Sequence, residues 1–229
     1  MARLKDLLHQ KLHLIVVLSV ICTTSIEGAC EHIHPAVAPS EEVRVVLATT
    51  AGDIEISIDT IRAPQSARAF LTLIDNGGLA AHGYFYRTVR ANNDRGQPSI
   101  EVIQGGIRDP LLIRSLSPVE HETTRTTGLS HVDGTISLAR GAVGTASGAT
   151  FFICVGDQHA LDLGGGRDPN HDGQGFAAFG RVVRGMDVVR QIHQMQATAP
   201  TPDPYMEGQI LNVPVRIVSA FRKDPIQAR

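Results

Sequence analysis

Three sets of residues in this chain have types and spacing that could do chemistry. Ser130 and His131, with Asp133 close behind, are the side-chain types of a serine hydrolase. Asp168, Asn170 and Asp172, followed by Gly173, have the spacing that opens a calcium loop. Arg87, Val102 and Gln104, on two neighbouring apolar segments, could set a guanidinium and a carboxamide beside an apolar surface. The first two sets fail on chemistry. Neighbours along one segment do not make a triad, and no G-x-S-x-G is present. The twelfth position of the calcium loop is Phe179, where a bidentate glutamate is needed, and no helix precedes it, so an insertion of turn-forming residues is the better reading. The ten histidines show no H-E-x-x-H spacing, and Gly164, Gly165 and Gly166 lack the Lys-Ser/Thr of a phosphate loop. Cys22, Cys30 and Cys154 have neither metal-ligand spacing nor the look of a disulfide framework. No metal and no cofactor are expected.

The third set depends on the strands that carry it. Residues 84–90 and 100–106 are rich in aromatic and β-branched side chains, as strands are. Side chains alternate along a strand, so Phe85, Arg87 and Val89 are expected on one face, and Val102 and Gln104 on one face of the next. If those faces meet, arginine, glutamine and valine line a common surface. Gly105 and Gly106 then let the backbone turn sharply or approach a ligand. Taken alone, the stretch equally describes two ordinary strands with a solvated arginine.

The rest of the chain supplies more strands. Residues 43–49 and 54–58 read as a pair around a turn at Ala51-Gly52-Asp53. Pro64 opens a helix whose apolar stripe is Ala67, Phe70, Leu71 and Ile74, and which Gly77 ends. Residues 92–98 are a polar loop, and 107–133 are polar and loop-like. Residues 134–139, 150–155 and 177–183 are further strands. Asp187 is placed to cap a second helix through Val188, Val189, Ile192 and Met195. Pro200, Pro202 and Pro204 make a stiff connection to a last strand at 213–219, whose proline argues for an edge or a strand end. The pattern predicts a mainly β fold, a closed eight-stranded antiparallel barrel capped by two α-helices.

The chain has 229 residues, a formal charge of −2 and 42% apolar residues, which suits one domain with appendages. The near-neutral balance gives no basic face for nucleic acid. Arg3, Lys5 and Lys11 precede an apolar run over residues 12–22, too short for a comfortable membrane span, and small and polar residues follow up to Cys30. This is the pattern of a secretory signal peptide. The expected organisation is a signal peptide or signal anchor at 1–29, a linker at 30–42, the barrel domain at 43–220 and a tail at 221–229. Export to a periplasm follows, with a membrane tether through an uncleaved leader or a lipid on Cys30 as the alternative.

The ordered set Phe85-Tyr-Arg87, Gln104-Gly-Gly106, Gly134-Thr-Ile-Ser-Leu-Ala139, Phe151-Phe-Ile-Cys154, Leu161-Asp162, Phe179-Gly-Arg-Val182 and Gly185-Met-Asp187 resembles a cyclophilin. No single piece is specific, but their order is, and the resemblance runs from about residue 43 to about residue 218. It implies a peptidyl-prolyl cis–trans isomerase on the barrel architecture already reached from the strand pattern. It also implies roles. Arg87 matches the catalytic arginine, and Gln104 the glutamine that orients it and contacts substrate. Phe152 and Val102 match the apolar floor that takes the proline ring, and Ala139 and Leu161 the rim. Phe176 sits where a histidine or another aromatic is found. Arg140 stands for a backbone-presenting asparagine and Thr150 for a common second glutamine.

Two further positions depart from the family. Glu101 occupies the place of a pocket phenylalanine, and Ala160 that of a tryptophan or other aromatic, so a wetter, less aromatic pocket is expected. The implied partners are proline-containing polypeptides, bound by a monomer that assists the folding of exported proteins. Arg87, Gln104 and Phe152 favour an enzyme. Glu101, Thr150 and Ala160 favour the alternative, a cyclophilin-fold module that holds proline-containing segments with little or no catalysis.

Overall fold

The computed structural model describes residues 42–167 and 172–223. The expected leader, the linker before Glu42, residues 168–171 of the calcium-like loop and residues 224–229 of the tail lie outside them.

Strands alternate with short helices along the chain. In order they are β1 (Glu42–Thr49), β2 (Gly52–Asp59), α1 (Pro64–Asp75), α2 (Gly78–His82), β3 (Gly83–Val89), β4 (Val102–Ile107), α3 (Pro110–Ser115), α4 (Thr124–Thr127), β5 (Thr135–Leu138), β6 (Thr150–Cys154), β7 (Ala177–Arg184), α5 (Met186–His193) and β8 (Ile210–Arg222). The strands close into an antiparallel barrel in the order β1-β2-β7-β5-β6-β4-β3-β8. Period-two alternation buries Val45 and Leu47 of β1 against Ile54, Ile56 and Ile58 of β2, all fully enclosed. The barrel interior is aromatic at its centre. Phe70 of α1 meets Phe151 and Phe179 at ring-centroid distances of 5.2 Å each, and Phe85 meets Phe151 edge-on at 5.7 Å.

The eight strands form as expected; the helices differ in number. Among the described residues three short ones stand alongside α1 and α5, and two of them, α3 and α4, lie in the segment expected to be loop. Each of these two has a local cap that periodicity does not reveal. The Asp109 carboxylate accepts from the N–H of Leu111, and the Thr123 hydroxyl from that of Thr126. The same segment serves α1. Ala63 at the start of α1 has no side-chain acceptor to offer, and Glu122 supplies one from a distance, accepting from the N–H groups of Gln65 and Ser66 and from the Ser66 hydroxyl. Helix α5 is capped not by Asp187 but by Gly185, with Asp187 in the first turn, where its charge suits the helix dipole.

Strand β8 is not an edge. It pairs with β1 on one side and β3 on the other and closes the barrel. Pro214 is tolerated because the β3 register jumps from Val215 opposite Phe85 to Ile210 opposite Arg87, which leaves Pro214 in a bulge with no ladder bond to donate. The strand runs to Arg222, and the Lys223 N–H still donates to the Arg44 carbonyl.

Candidate active site

The face expected to carry Phe85, Arg87 and Val89 together is split by a bulge. The β3–β4 register shifts between Phe85 and Arg87. Phe85, opposite Gly105, joins the barrel interior, and a Cβ on Gly105 would stand 2.8 Å from its ring. Arg87 and Val89 face a separate cavity, opposite Gln104 and Val102 respectively. The row continues across the sheet, since Gln104 pairs with Phe152 of β6 and Phe152 with Ser137 of β5. Three neighbouring strands, β3, β4 and β6, thus set a guanidinium, a carboxamide and a phenyl ring side by side.

The cavity measures about 170 Å³. Its floor is apolar: Val89, Ile100, Val102, Phe152, Cys154 and Leu161 form one buried cluster, with Ala139, Ala160 and Phe176 packed against it. Phe176 stands edge-on to Phe152 at 5.4 Å. Of the residues expected at the site, Arg87, Val102, Gln104, Ala139, Arg140, Phe152, Leu161 and Phe176 line the cavity. Thr150 does not; it pairs with Gly106 at the start of β6, and its carbonyl accepts from the Ala139 N–H. Glu101 points away from the cavity and accepts from the Ala91 N–H, while Ile100, one residue earlier, gives the apolar wall.

Arg87 is half-buried and held in its own plane. Nε and Nη2 both donate to Oε1 of Gln209, the first at 2.9 Å, and Nη1 donates to Oε1 of Gln104 at 2.8 Å. One hydrogen on each Nη remains for a ligand. Both acceptors are neutral carboxamides, so the positive charge is oriented without being cancelled. Burial lowers the Arg87 pKa, opposed by Tyr205, Tyr86 and Asp94, and a guanidinium stays charged at neutral pH regardless. Gln104 is fixed in turn, its Nε2 donating to the Tyr86 hydroxyl at 3.2 Å.

The histidine-serine cluster has a structural use. His131 is fully buried and stacks on Phe152, with ring centroids 5.9 Å apart and planes 17° apart. Its Nδ1–H donates to Asp162 at 2.7 Å, and its Nε2 lies 3.0 Å from the Ser137 hydroxyl. The aligned carboxylate is therefore Asp162; Asp133 instead accepts from the Gly156 N–H and from Arg190. Ser137 is fully enclosed, so this array supports the Phe152 ring, while the Ser130 hydroxyl turns to the same Asp162 carboxylate, donating to it at 2.6 Å, rather than to His131.

The Arg140 side chain is held in place by several partners. The side chain is 2% exposed, forks onto both oxygens of Asp172 at 2.6 and 2.8 Å, reaches the Gly175 carbonyl, and lies 5.3 Å over the Phe176 ring. It thereby ties down the segment that carries Phe176.

Sequence reasoning missed Val89, Ile100, Arg167 and Tyr205 in the lining, and Gln209 behind Arg87. Alternation puts Val89 on the face of Arg87, and nothing in its residue type marks a role. Gln209 has no local signal, because its contact to Arg87 spans 122 residues of chain. Tyr205, beside Pro204 in the stiff connection, restores part of the aromatic surface that Ala160 and Glu101 were expected to remove.

The family model for cyclophilin type peptidyl-prolyl cis-trans isomerase/CLD matches residues 44–215. Peptidyl-prolyl cis-trans isomerase A of Dickeya dadantii is 34% identical over 163 residues, covering 71% of this chain and 77% of that one. Peptidyl-prolyl cis-trans isomerase B of Escherichia coli is 30% identical over 150 residues, covering 65% and 82%. A crystal structure of a Cryptosporidium parvum cyclophilin type peptidyl-prolyl cis-trans isomerase superimposes with a TM-score of 0.57 at 16% identity, covering 80% of this chain and 99% of that one. The same protein in the presence of the dipeptide Ala-Pro gives a TM-score of 0.52 at 17% identity. With the barrel order, the Arg87–Gln104–Phe152 row and the family match over most of its length, this chain belongs to the cyclophilin-type peptidyl-prolyl cis–trans isomerases.

Proposed function

We propose that the isomerase reaction takes place in the cavity beside Arg87, with a proline ring seated on Phe152, Val102 and Leu161. The carrying observation is a charged guanidinium held by two neutral carboxamides at the edge of an apolar floor. An X–Pro bond is slow to rotate because twisting it costs roughly 18–20 kcal/mol of amide resonance. In the twisted state the prolyl nitrogen regains a localised lone pair, which a planar amide lacks. A remaining Nη hydrogen of Arg87 donates to that lone pair, an interaction made in the transition state and absent from the ground state. A hydrogen bond to a charged group contributes roughly 1.5–3 kcal/mol, which is on the order of ten- to hundredfold in rate. Gln104 keeps the guanidinium in plane and presents its amide to the substrate backbone. Ala139 and the backbone of Arg140 form the rim, and Phe176, held by Arg140, closes the far side.

The substrates proposed are proline-containing polypeptides, and the leader-like N-terminus supports the folding of exported proteins as the setting. Thr150, outside the cavity lining, is proposed to meet substrate only in segments extending past the proline subsite. The chemical part is tested by exchange spectroscopy on a short X–Pro peptide with wild type and Arg87→Ala; an unchanged rate in a folded variant overturns the assignment of the site. The export part is tested by cell fractionation and intact mass: a cytosolic protein retaining residues 1–29 overturns it.

A further inference from the structure

Arg167 lies outside every motif, yet it joins three loops around the cavity. Its side chain is 4% exposed and that of Asp94 is fully buried. Nη1 donates to Asp94 at 2.6 Å and to the Pro98 carbonyl at 2.8 Å; Nη2 donates to Asp94 at 2.7 Å and to the Tyr205 hydroxyl at 2.7 Å. All four Nη hydrogens are thus engaged. Gly96 makes the room, since a Cβ there would stand 2.2 Å from the guanidinium carbon. Asp94 also accepts from the N–H groups of Gly96 and Ile100, which fixes the polar loop before β4.

Tyr205 is the link from this assembly to Arg87. Its ring lies under the Arg87 guanidinium, 5.6 Å from centroid to carbon, and lines the cavity. It sits in a single helical turn whose start is capped by Asp203, and Gln209, the acceptor for two Arg87 donors, follows four residues later. The guanidinium is therefore constrained in plane by Gln104 and Gln209 and on one face by Tyr205. A ring on that face stops the group from tilting its free donors out of the plane.

We propose that Tyr205, anchored through its hydroxyl by the buried Arg167–Asp94 pair, is a positioning residue for Arg87. This rests on the reading of Arg87 as the group that donates to the twisted prolyl bond. Substituting Arg167 would leave Asp94 buried and unpaired and endanger folding, so the test uses the half-exposed Tyr205. Tyr205→Leu removes the ring and the anchor; Tyr205→Phe removes the anchor alone. Both are made in wild-type and Arg87→Ala backgrounds, with kcat and KM from exchange spectroscopy on an X–Pro peptide and melting temperature as the check on folding. Tyr205→Leu is expected to lower kcat about tenfold with KM within about twofold, and Tyr205→Phe about threefold, both at wild-type melting temperature. Added to Arg87→Ala, neither should lower the residual rate further. Unchanged kcat in Tyr205→Leu while Arg87→Ala is impaired overturns the positioning role and leaves the site intact. So does a loss that multiplies with that of Arg87→Ala. A wild-type rate in Arg87→Ala instead overturns the underlying reading of the site.

Discussion

Oε1 of Gln209 accepts two donors from Arg87, Nε and Nη2, across 122 residues of chain. Gln209 is itself fully buried: its Nε2 donates to the Asn93 carbonyl, and its own carbonyl accepts from the Thr88 N–H. The orientation of the guanidinium is thus built into the barrel wall rather than left to solvent. Arg87→Ala should lower kcat by about tenfold or more with little change in peptide binding, because the lost interaction belongs to the twisted state. Arg87→Lys should recover only part of this, since an ammonium cannot bridge Gln104 and Gln209 as the planar fork does. Gln209→Ala should lower kcat in the same direction and also cost about 1–3 kcal/mol of stability, because it strands buried partners. Single-turnover or exchange measurements, paired with urea melts, separate the two effects.

Phe152→Ala should behave differently. The ring floors the cavity and carries His131 on one side and Phe176 on another. Removing it should cost about 3–5 kcal/mol of stability and raise the KM for proline peptides more than it lowers kcat. Phe152→Leu, which restores most of the volume, should recover stability ahead of binding. Equal losses in kcat and KM for every substitution at this position would argue that the ring takes part in the rotation step rather than in seating the proline.

Much of this was legible in the sequence because it depended on local pattern. Alternation exposed the strands, and Arg87, Gln104 and Phe152 fell on strands whose register brings them together. What escaped depended on contacts distant along the chain. Strict alternation places Phe85 on the face of Arg87, and a bulge between them breaks it. Pro214 suggested an edge because a proline cannot complete a ladder, yet the ladder has a gap at that point. Arg167 and Tyr205 are ordinary surface types in sequence, and only folding makes Asp94 and Arg87 their neighbours.

Stability should fall on mild acidification because of His131. Burial lowers its pKa below the ordinary value of 6.5, opposed by the hydrogen bond to Asp162. The unfolded chain then binds a proton that the folded chain resists. The stability this histidine contributes is present in full above about 6.5 and is lost as pH falls from there toward the folded value. His193, also lowered by burial, adds in the same direction. Urea midpoints measured from pH 8 to pH 5 should decline on the acid side, and replacing His131 by glutamine should flatten the decline. A profile with the same slope in both proteins would assign the effect to other groups.

The last prediction concerns inhibition by the cyclic peptide cyclosporin, which cyclophilins grip with an aromatic wall and its indole donor. The family resemblance puts Ala160 at that position. It is packed against the apolar cluster but offers neither a wall nor a donor. Arg167 is close by, its N–H donating to the Ala160 carbonyl, and carries donors of its own. Its four Nη hydrogens, however, are spent on Asp94, Pro98 and Tyr205, so it cannot donate through them to an inhibitor without breaking a buried ion pair. Binding should therefore be weak relative to tryptophan-containing relatives. Ala160→Trp should tighten it by about tenfold or more, each factor of ten being roughly 1.4 kcal/mol. Titration calorimetry on both proteins gives the comparison. Tight binding by the wild type would mean that another surface, with Tyr205 the first to examine, takes the place of the missing wall.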